Sequence, residues 1–377
     1  MKKLSCFLIV IALWLLAQPV FAQQDETLFR KHIISSGWHG LYYGTALNII
    51  FEIPGAAAAG IPIISAGTAA VIPLLTNSSR SISNNSLVLT NHGKYLGWVH
   101  GFALPSLILG EDAWNEKNYK ITVASGALSS IALGRLGYVL GRDKDWEEGQ
   151  TALFSHYGWV MPFAGLSLGL AFVDDLRLGA GLVLLSGAGG YFLANKIFEL
   201  NPYTRGDVRS TQVLSTLNGG LAFGLMIDKN TQFDEEWDFK RSDWIIPALG
   251  MLAGTAIGHL WLKDARLTTQ QANITAYAAG GGAIIGLGVA LLSGGDKLWP
   301  YYTFPYAFGM GAYAFAVERF KKENSTLGFL HKEGQSNLNI AFMPQNLLIN
   351  QKLAENGLPS PGRTMRLQPL FSASYKF

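Results

Sequence analysis

Apolar segments rich in Gly and Ala alternate along most of this chain with short polar stretches, in a unit that recurs about every sixty residues. After Glu148-Gly149-Gln150, an apolar segment covers 154–173, turns at Asp174-Asp175, and a second covers 178–198. The polar stretch Arg209-Ser210-Thr211-Gln212 then leads an apolar segment over 213–227, a charged connection spans 228–243, and 244–262 is apolar again before Thr268-Thr269-Gln270-Gln271. Gln150, Gln212 and Gln271 are 62 and 59 residues apart, and a glycine follows each about eight residues later, at Gly158, Gly220 and Gly280. Earlier in the chain, His92-Gly93-Lys94-Tyr95-Leu96-Gly97-Trp98-Val99-His100-Gly101 echoes Ser36-Gly37-Trp38-His39-Gly40-Leu41-Tyr42-Tyr43-Gly44. Five units begin near residues 25, 84, 146, 208 and 267, the last closed by 299–320, and this regularity predicts stacked helical hairpins.

Glycines spaced by four sharpen the prediction. Gly40 and Gly44, Gly93, Gly97 and Gly101, and Gly250, Gly254 and Gly258 would let helix backbones approach closely, which is how helices associate without water to drive them together. The expected fold is mainly α: a glycine-zipper domain of hairpin repeats in or at a membrane over 23–322, followed by a β-strand tail over 323–377. Segments of 15–20 residues containing Ser, Thr, Asn, His and Pro are marginal as membrane spans, which need about 20 apolar residues. Pro62, Pro73, Pro162 and Pro247 are expected to kink or break their helices. An outer-membrane β-barrel is the alternative, since the length could supply many strands and the 12% aromatic content suits interfacial girdles. Against it, 277–292 has no polar positions to face a lumen.

At the N-terminus, Lys2 and Lys3 precede an apolar run over 6–17 and the small-residue end Val20-Phe21-Ala22, the pattern of a secretory signal cleaved after Ala22. An uncleaved anchor is the other reading. Cys6 is the only cysteine and lies within that segment, so the mature chain would have neither disulfide nor thiolate. Hydrophobic residues make up 49% and charged residues 15%, against about a quarter charged in soluble domains, and mean hydropathy is +0.22. The formal charge of +3 includes both leader lysines, so nucleic acid is not an expected partner.

In the tail, Asn337-Leu338-Asn339-Ile340-Ala341-Phe342 alternates polar and apolar positions. Leu367, Pro369, Phe371, Ala373, Tyr375 and Phe377 share one face of an extended strand. Period two predicts a C-terminal hairpin or two separate strands. The last residues, with Phe371, Tyr375 and Phe377 alternating to an aromatic end, resemble the terminal strand that serves outer-membrane β-barrel proteins as an assembly signal. That resemblance implies outer-membrane location and contact with the assembly machinery. The Gly-spaced body is similar to uncharacterised exported Gly-rich repeat proteins of Gram-negative bacteria, which implies no particular activity.

Candidate chemistry is sparse. Gly165-Leu166-Ser167-Leu168-Gly169 fits a nucleophile elbow by spacing, but it sits inside an apolar repeat with no strand–turn–helix around it. His39, His92, His100 and His156 fall in equivalent Gly-rich starts and are candidates for a polar, proton-carrying or metal site, with interhelical hydrogen bonding as the plainer role. The acidic clusters lack the alternating ligands of a calcium loop, and the Gly-rich runs at 187–190 and 286–288 lack the acidic partner of a dinucleotide site. Trp98, Trp146, Trp159, Trp237, Trp244, Trp261 and Trp299 are expected near segment ends, at a membrane interface. The expectation is a non-enzymatic exported protein without metal or cofactor, partnered by membrane lipid, with a structural role or one in small-solute passage. A β-barrel porin and a lipid-active membrane enzyme are the alternatives.

Overall fold

The structure, a computed structural model, describes residues 26–76, 83–144, 146–231, 240–293, 297–327, 337–342 and 371–376. The expected signal segment, Trp237 and Phe377 lie outside the described residues. The chain divides into two compact units after Asn324.

The described residues up to 327 form five helical hairpins. They are α1 (Glu26–Phe51) with α2 (Gly55–Thr76), α3 (Asn84–Leu109) with α4 (Tyr119–Asp143), α5 (Glu148–Phe172) with α6 (Leu176–Leu200), α7 (Arg205–Thr231) with α8 (Ile245–Leu262), and α9 (Thr269–Leu292) with α10 (Trp299–Leu327). The first helix of a hairpin also packs on the second helix of the next, α1 on α4, α3 on α6 and α5 on α8, so the repeats stack through offset pairs. Tyr302, Tyr306 and Tyr313 of α10 continue the rule by bonding Asp228, Asn218 and the Ser210 carbonyl of α7.

Short polar residues start these helices by satisfying the backbone N–H groups that the first turn leaves unpaired. Ser83 accepts from the Ser86 amide before α3, Asp175 from Arg177 before α6, and Thr268 with Gln271 forms a reciprocal capping box before α9. At α7 the Asp207 amide donates to Thr204 Oγ1 while the Thr204 amide donates to Asp207 Oδ2. This cap starts the helix at Arg205, so Arg209-Ser210-Thr211-Gln212 lie a turn inside it rather than ahead of it. At the opposite end, Gly110 closes α3 with φ +65°, where glycine avoids a Cβ clash. The turn between α1 and α2 is tied to α4 by Lys120 Nζ and Glu52 Oε1, 2.7 Å apart, a hydrogen bond that holds the Glu52 carboxyl below the usual carboxylate range.

Prolines do not break the helices. Pro62 and Pro73 lie inside α2, Pro162 inside α5, and Pro247 in the first turn of α8, where no amide is missed. The carbonyl that Pro62 cannot reach is that of Ala58, and Asn48 Nδ2 of α1 donates to it. A neighbouring helix thus supplies the hydrogen bond that the proline removes.

Close packing runs along the four-spaced glycines. A Cβ at Gly101 would lie 2.5 Å from the Ser125 carbonyl oxygen, one at Gly254 2.5 Å from that of Leu214, and one at Gly250 2.6 Å from that of Asn218. Gly93 and Gly97 meet the α4 backbone at Leu133 and Ser130, Gly40 and Gly44 meet α2 at Ala66 and Pro62, and Gly258 meets Thr211. Both hairpin partners contribute, since Gly137 and Gly141 of α4 reach back to Leu89 and Ser86.

The apolar side chains point the other way. Leu128, Leu185, Phe192, Leu260 and Leu292 are 67–88% exposed, whereas α6 buries only Ala180, Val183, Gly187, Gly190 and Ala194. Among the described residues, five stretches, 55–73, 119–143, 176–200, 241–262 and 269–292, are long and apolar enough to cross a membrane, with at most 33% of any defining window buried. The fold is a mainly α helical repeat compatible with membrane association. The β-barrel alternative does not hold for the described residues of the first unit, whose hydrophobic runs are helices packed through glycine. Trp98 and Trp159 fall mid-helix rather than at segment ends, Trp98 stacking on Tyr43 at 5.9 Å.

In the second unit, β1 (Asn337–Phe342) and β2 (Phe371–Lys376) pair antiparallel, with Asn337 opposite Lys376, Leu338 opposite Tyr375 and Phe342 opposite Phe371.

Candidate functional site

Between consecutive hairpins, polar side chains pair beside apolar clusters such as Leu153, Ala194 and Val208. His92 on α3 and Tyr191 on α6 share a hydrogen bond of 2.8 Å between Nε2 and the phenol oxygen. The pair fits because Gly158 of α5 has no side chain, since a Cβ there would meet the His92 ring and, at 3.2 Å, Tyr191. One turn along α6, Gly187 makes the same allowance for His100, whose Nε2 would lie 2.6 Å from a Cβ at that position. His92 and His100 therefore share one face of α3, directed at α6.

The other two candidate histidines sit elsewhere. His39 is fully buried, with Nδ1 2.7 Å from the Ser35 carbonyl and its ring 4.5 Å from that of Tyr95. His156 on α5 pairs with Thr255 of α8 at 3.1 Å, and next to it the Tyr157 hydroxyl meets His259 Nε2 at 2.8 Å. The four histidines do not converge. They occupy successive hairpin junctions, and among the described residues no three of His, Cys, Asp and Glu gather closely enough to hold a metal ion. Ser167 is buried on helical backbone inside α5, so the elbow geometry is absent there. The runs at 187–190 and 286–288 are likewise mid-helix, with no phosphate loop.

Several members of this seam escape a reading of the sequence. Tyr191, Thr255 and His259 are second-helix residues whose partners lie about 100 positions earlier, beyond any local motif. Asp207 is buried and accepts from the Leu267 amide at 2.8 Å and the Thr204 amide at 3.0 Å, joining α7 to the connection before α9. Its Thr-x-x-Asp spacing is the one signal that could have revealed it. Other buried atoms have no partner, among them His32 Nδ1, His100 Nε2, Thr151 Oγ1 and Ser210 Oγ. Chemically the seam can hold helices in register, or exchange hydrogen bonds and protons with a small polar guest.

Fold and seam define a helical-repeat protein with membrane-span-like helices, an interior that mixes apolar clusters with polar pairs, and an outside rich in large apolar side chains. Comparison with family models, curated proteins and solved structures finds no match.

Proposed function

We propose that this is a non-enzymatic integral membrane protein of the bacterial cell envelope, held together by glycine contacts and polar pairs and solvated on its outside by lipid. The observation that carries this is the large apolar surface, with Leu185, Leu260 and Leu292 among many exposed apolar side chains while polar His39, Thr151 and Thr275 are buried between helices. In water each exposed leucine would forgo about 1.5–3 kcal/mol of burial, whereas lipid removes that cost. Its role is structural. Passage of a small polar solute is a second reading, supported by the partnerless atoms Thr151 Oγ1 and Ser210 Oγ. The outer membrane is the finer location, supported by the signal-like leader and the aromatic C-terminal alternation, with the assembly machinery as a transient partner.

With Cys6 as the only cysteine, single-cysteine labelling tests this directly once that residue is removed. Leu128→Cys and Leu185→Cys should resist a membrane-impermeant maleimide in intact membranes, while Glu116→Cys and Asp264→Cys, in connections at opposite hairpin ends, should react once both membrane faces are exposed. Equal labelling at all four positions, or release of the protein by alkaline carbonate, would overturn the membrane-embedded reading. Density-gradient separation of the two membranes decides the finer location.

A further inference from the structure

A stack of hairpins has two ends. At each internal junction the first helix of one hairpin lays a face against the second helix of the next, running antiparallel to it. His92 and then His100 along α3 meet Tyr191 and then Gly187, back along α6. His156 of α5 meets Thr255 of α8, and Asn218 of α7 meets Tyr306 of α10 at 3.3 Å. His156 and Asn218 lie six residues after Gln150 and Gln212, and the residue six after Gln271, on α9, is Tyr277. Among the described residues no hairpin follows α10, and Tyr277 is 46% exposed. At helical spacing from it, Gly281 and Gly288 have nothing within 4 Å of a Cβ, while Ile285 and Leu292 are 59% and 88% exposed. This stripe is distinct from Gly282 and Gly286, which pack on α10.

At the other end, α2 is a second helix with no first helix ahead of its hairpin among the described residues. On α6 and α8 the receiving residue directly follows a glycine packed on its own hairpin partner: Tyr191 follows Gly190, Thr255 follows Gly254 and His259 follows Gly258. On α2 the residues packed on the partner are Pro62 and Ala66, against Gly44 and Gly40. Their successors are Ile63, 67% exposed, and Gly67, which has nothing within 4 Å of a Cβ. Gly60 is equally open on that side, and Val71 is 46% exposed. The apolar window of α2 is 0% buried, against 28%, 22% and 33% for α4, α6 and α8, each of which receives a preceding first helix.

We propose that the two faces are halves of one further junction, and that a second copy of this chain docks head to tail. The α9 stripe of one copy lies antiparallel on the face of α2 formed by Gly60, Ile63, Gly67 and Val71 of the other. The contact continues the one that the chain makes at its internal junctions. With Tyr277 set against Val71, the antiparallel run brings Gly281 opposite Gly67, Ile285 opposite Ile63 and Gly288 opposite Gly60, so the backbones approach at the glycines. Gly67 and Gly281 face open space in the single chain, so it does not close on itself through them. Stacking keeps the first helices parallel, so successive copies stand the same way up in one membrane. Such a contact is heterologous and extends as a row or closes as a ring.

The test is cysteine cross-linking of the full protein in native membranes, in a background without Cys6. Gly67→Cys and Gly281→Cys, made as separate variants and co-expressed, should give a dimer-sized disulfide product on mild oxidation, and neither should do so alone. Gly67→Cys with Leu185→Cys, on the outer face of α6, should give none. In neutral detergent, Gly281→Leu should weaken self-association about tenfold by native mass spectrometry, whereas Leu185→Ala should leave it unchanged. Absence of a product between positions 67 and 281 would mean that lipid or another segment covers these faces, and it overturns the proposal. So does a product from Gly281→Cys alone, which marks a symmetric contact, or closure of a Gly67→Cys/Gly281→Cys variant only within one chain. Where variants do not fold, the wild-type protein decides: monomers alone, both in detergent and after amine cross-linking in membranes, also overturn it. The membrane-embedded reading is tested apart, because protein released by carbonate that still cross-links between 67 and 281 removes that reading and keeps the junction.

Discussion

Helices α5 and α6 form one hairpin but bury very different shares of their residues, and only α5 adds polar side chains to what it buries. The first buries fourteen residues, among them Thr151, His156, Tyr157 and Ser167, so it lies inside and carries the polar partners. The second buries five, all Ala, Val or Gly, while Leu178, Leu185, Phe192 and Leu200 stand 63–85% exposed. A water-soluble repeat would reverse the assignment and place those large side chains in the core. On the membrane-embedded reading, cohesion comes largely from backbone proximity and hydrogen bonds, the forces that remain when apolar burial gains little. In this hairpin α5 carries most of the specific contacts, with Tyr191 of α6 as partner to His92, and α6 forms most of the outer surface.

The glycines of the first helices offer the most damaging way to break this arrangement. A Cβ at Gly97 would lie 2.5 Å from the Ser129 carbonyl and the Ser130 amide nitrogen, and backbone cannot rotate away as a side chain would. Gly97→Ala should cost about 1–3 kcal/mol, and Gly97→Leu should prevent α3 from docking on α4. Reversible unfolding in mixed detergent micelles measures the first, and loss of a monodisperse species reports the second. An alanine tolerated at Gly97 would mean that the hairpin has slack and that cohesion lies elsewhere.

A loss of similar size is expected where polar bonds tie units together. Asp207→Ala removes the acceptor for the Leu267 and Thr204 amides, freeing the start of α7 and its tie to the next hairpin together, at about 2–3 kcal/mol. Tyr191→Phe keeps the ring and removes the partner of His92, at about 1 kcal/mol. Both are read by the same unfolding measurement. The corresponding loss at an outer-helix site such as Leu185→Ala should be close to zero in detergent, and a large loss there would erase the contrast between α5 and α6.

How much of this the sequence reveals depends on range. Four-residue glycine spacing is local, so Gly93, Gly97 and Gly101 can be placed on a close-packed face from sequence, as can the sixty-residue hairpin period. The partners of that face are not local. Tyr191 follows His92 by 99 positions and His259 follows Tyr157 by 102, an offset set by how hairpins stack rather than by any motif. Pro62 reads as a helix breaker because its remedy, Asn48 on another helix, is a tertiary contact. The start of α7 is legible in principle, since Thr204 and Asp207 have capping spacing, but the denser polar run at 209–212 obscures it.

The smallest predicted effect separates glycines that the repeat makes look alike. Gly158, Gly220 and Gly280 hold equivalent positions by spacing, yet Gly158 seats the His92–Tyr191 pair while Gly220 and Gly280 have nothing within 4 Å of a Cβ. Gly158→Ala should destabilise, because the His92 ring would have to move. Gly280→Ala meets no obstacle, and an alanine in the helical interior lowers the conformational entropy of the unfolded chain, so a gain of about 0.5–1 kcal/mol is expected. A gain at Gly280 with a loss at Gly158 would show that glycine works here by position and not by composition. A loss at Gly280 would mean that its open face is covered in the working protein, by lipid packed tightly against it or by a second copy, and cross-linking in membranes would distinguish these.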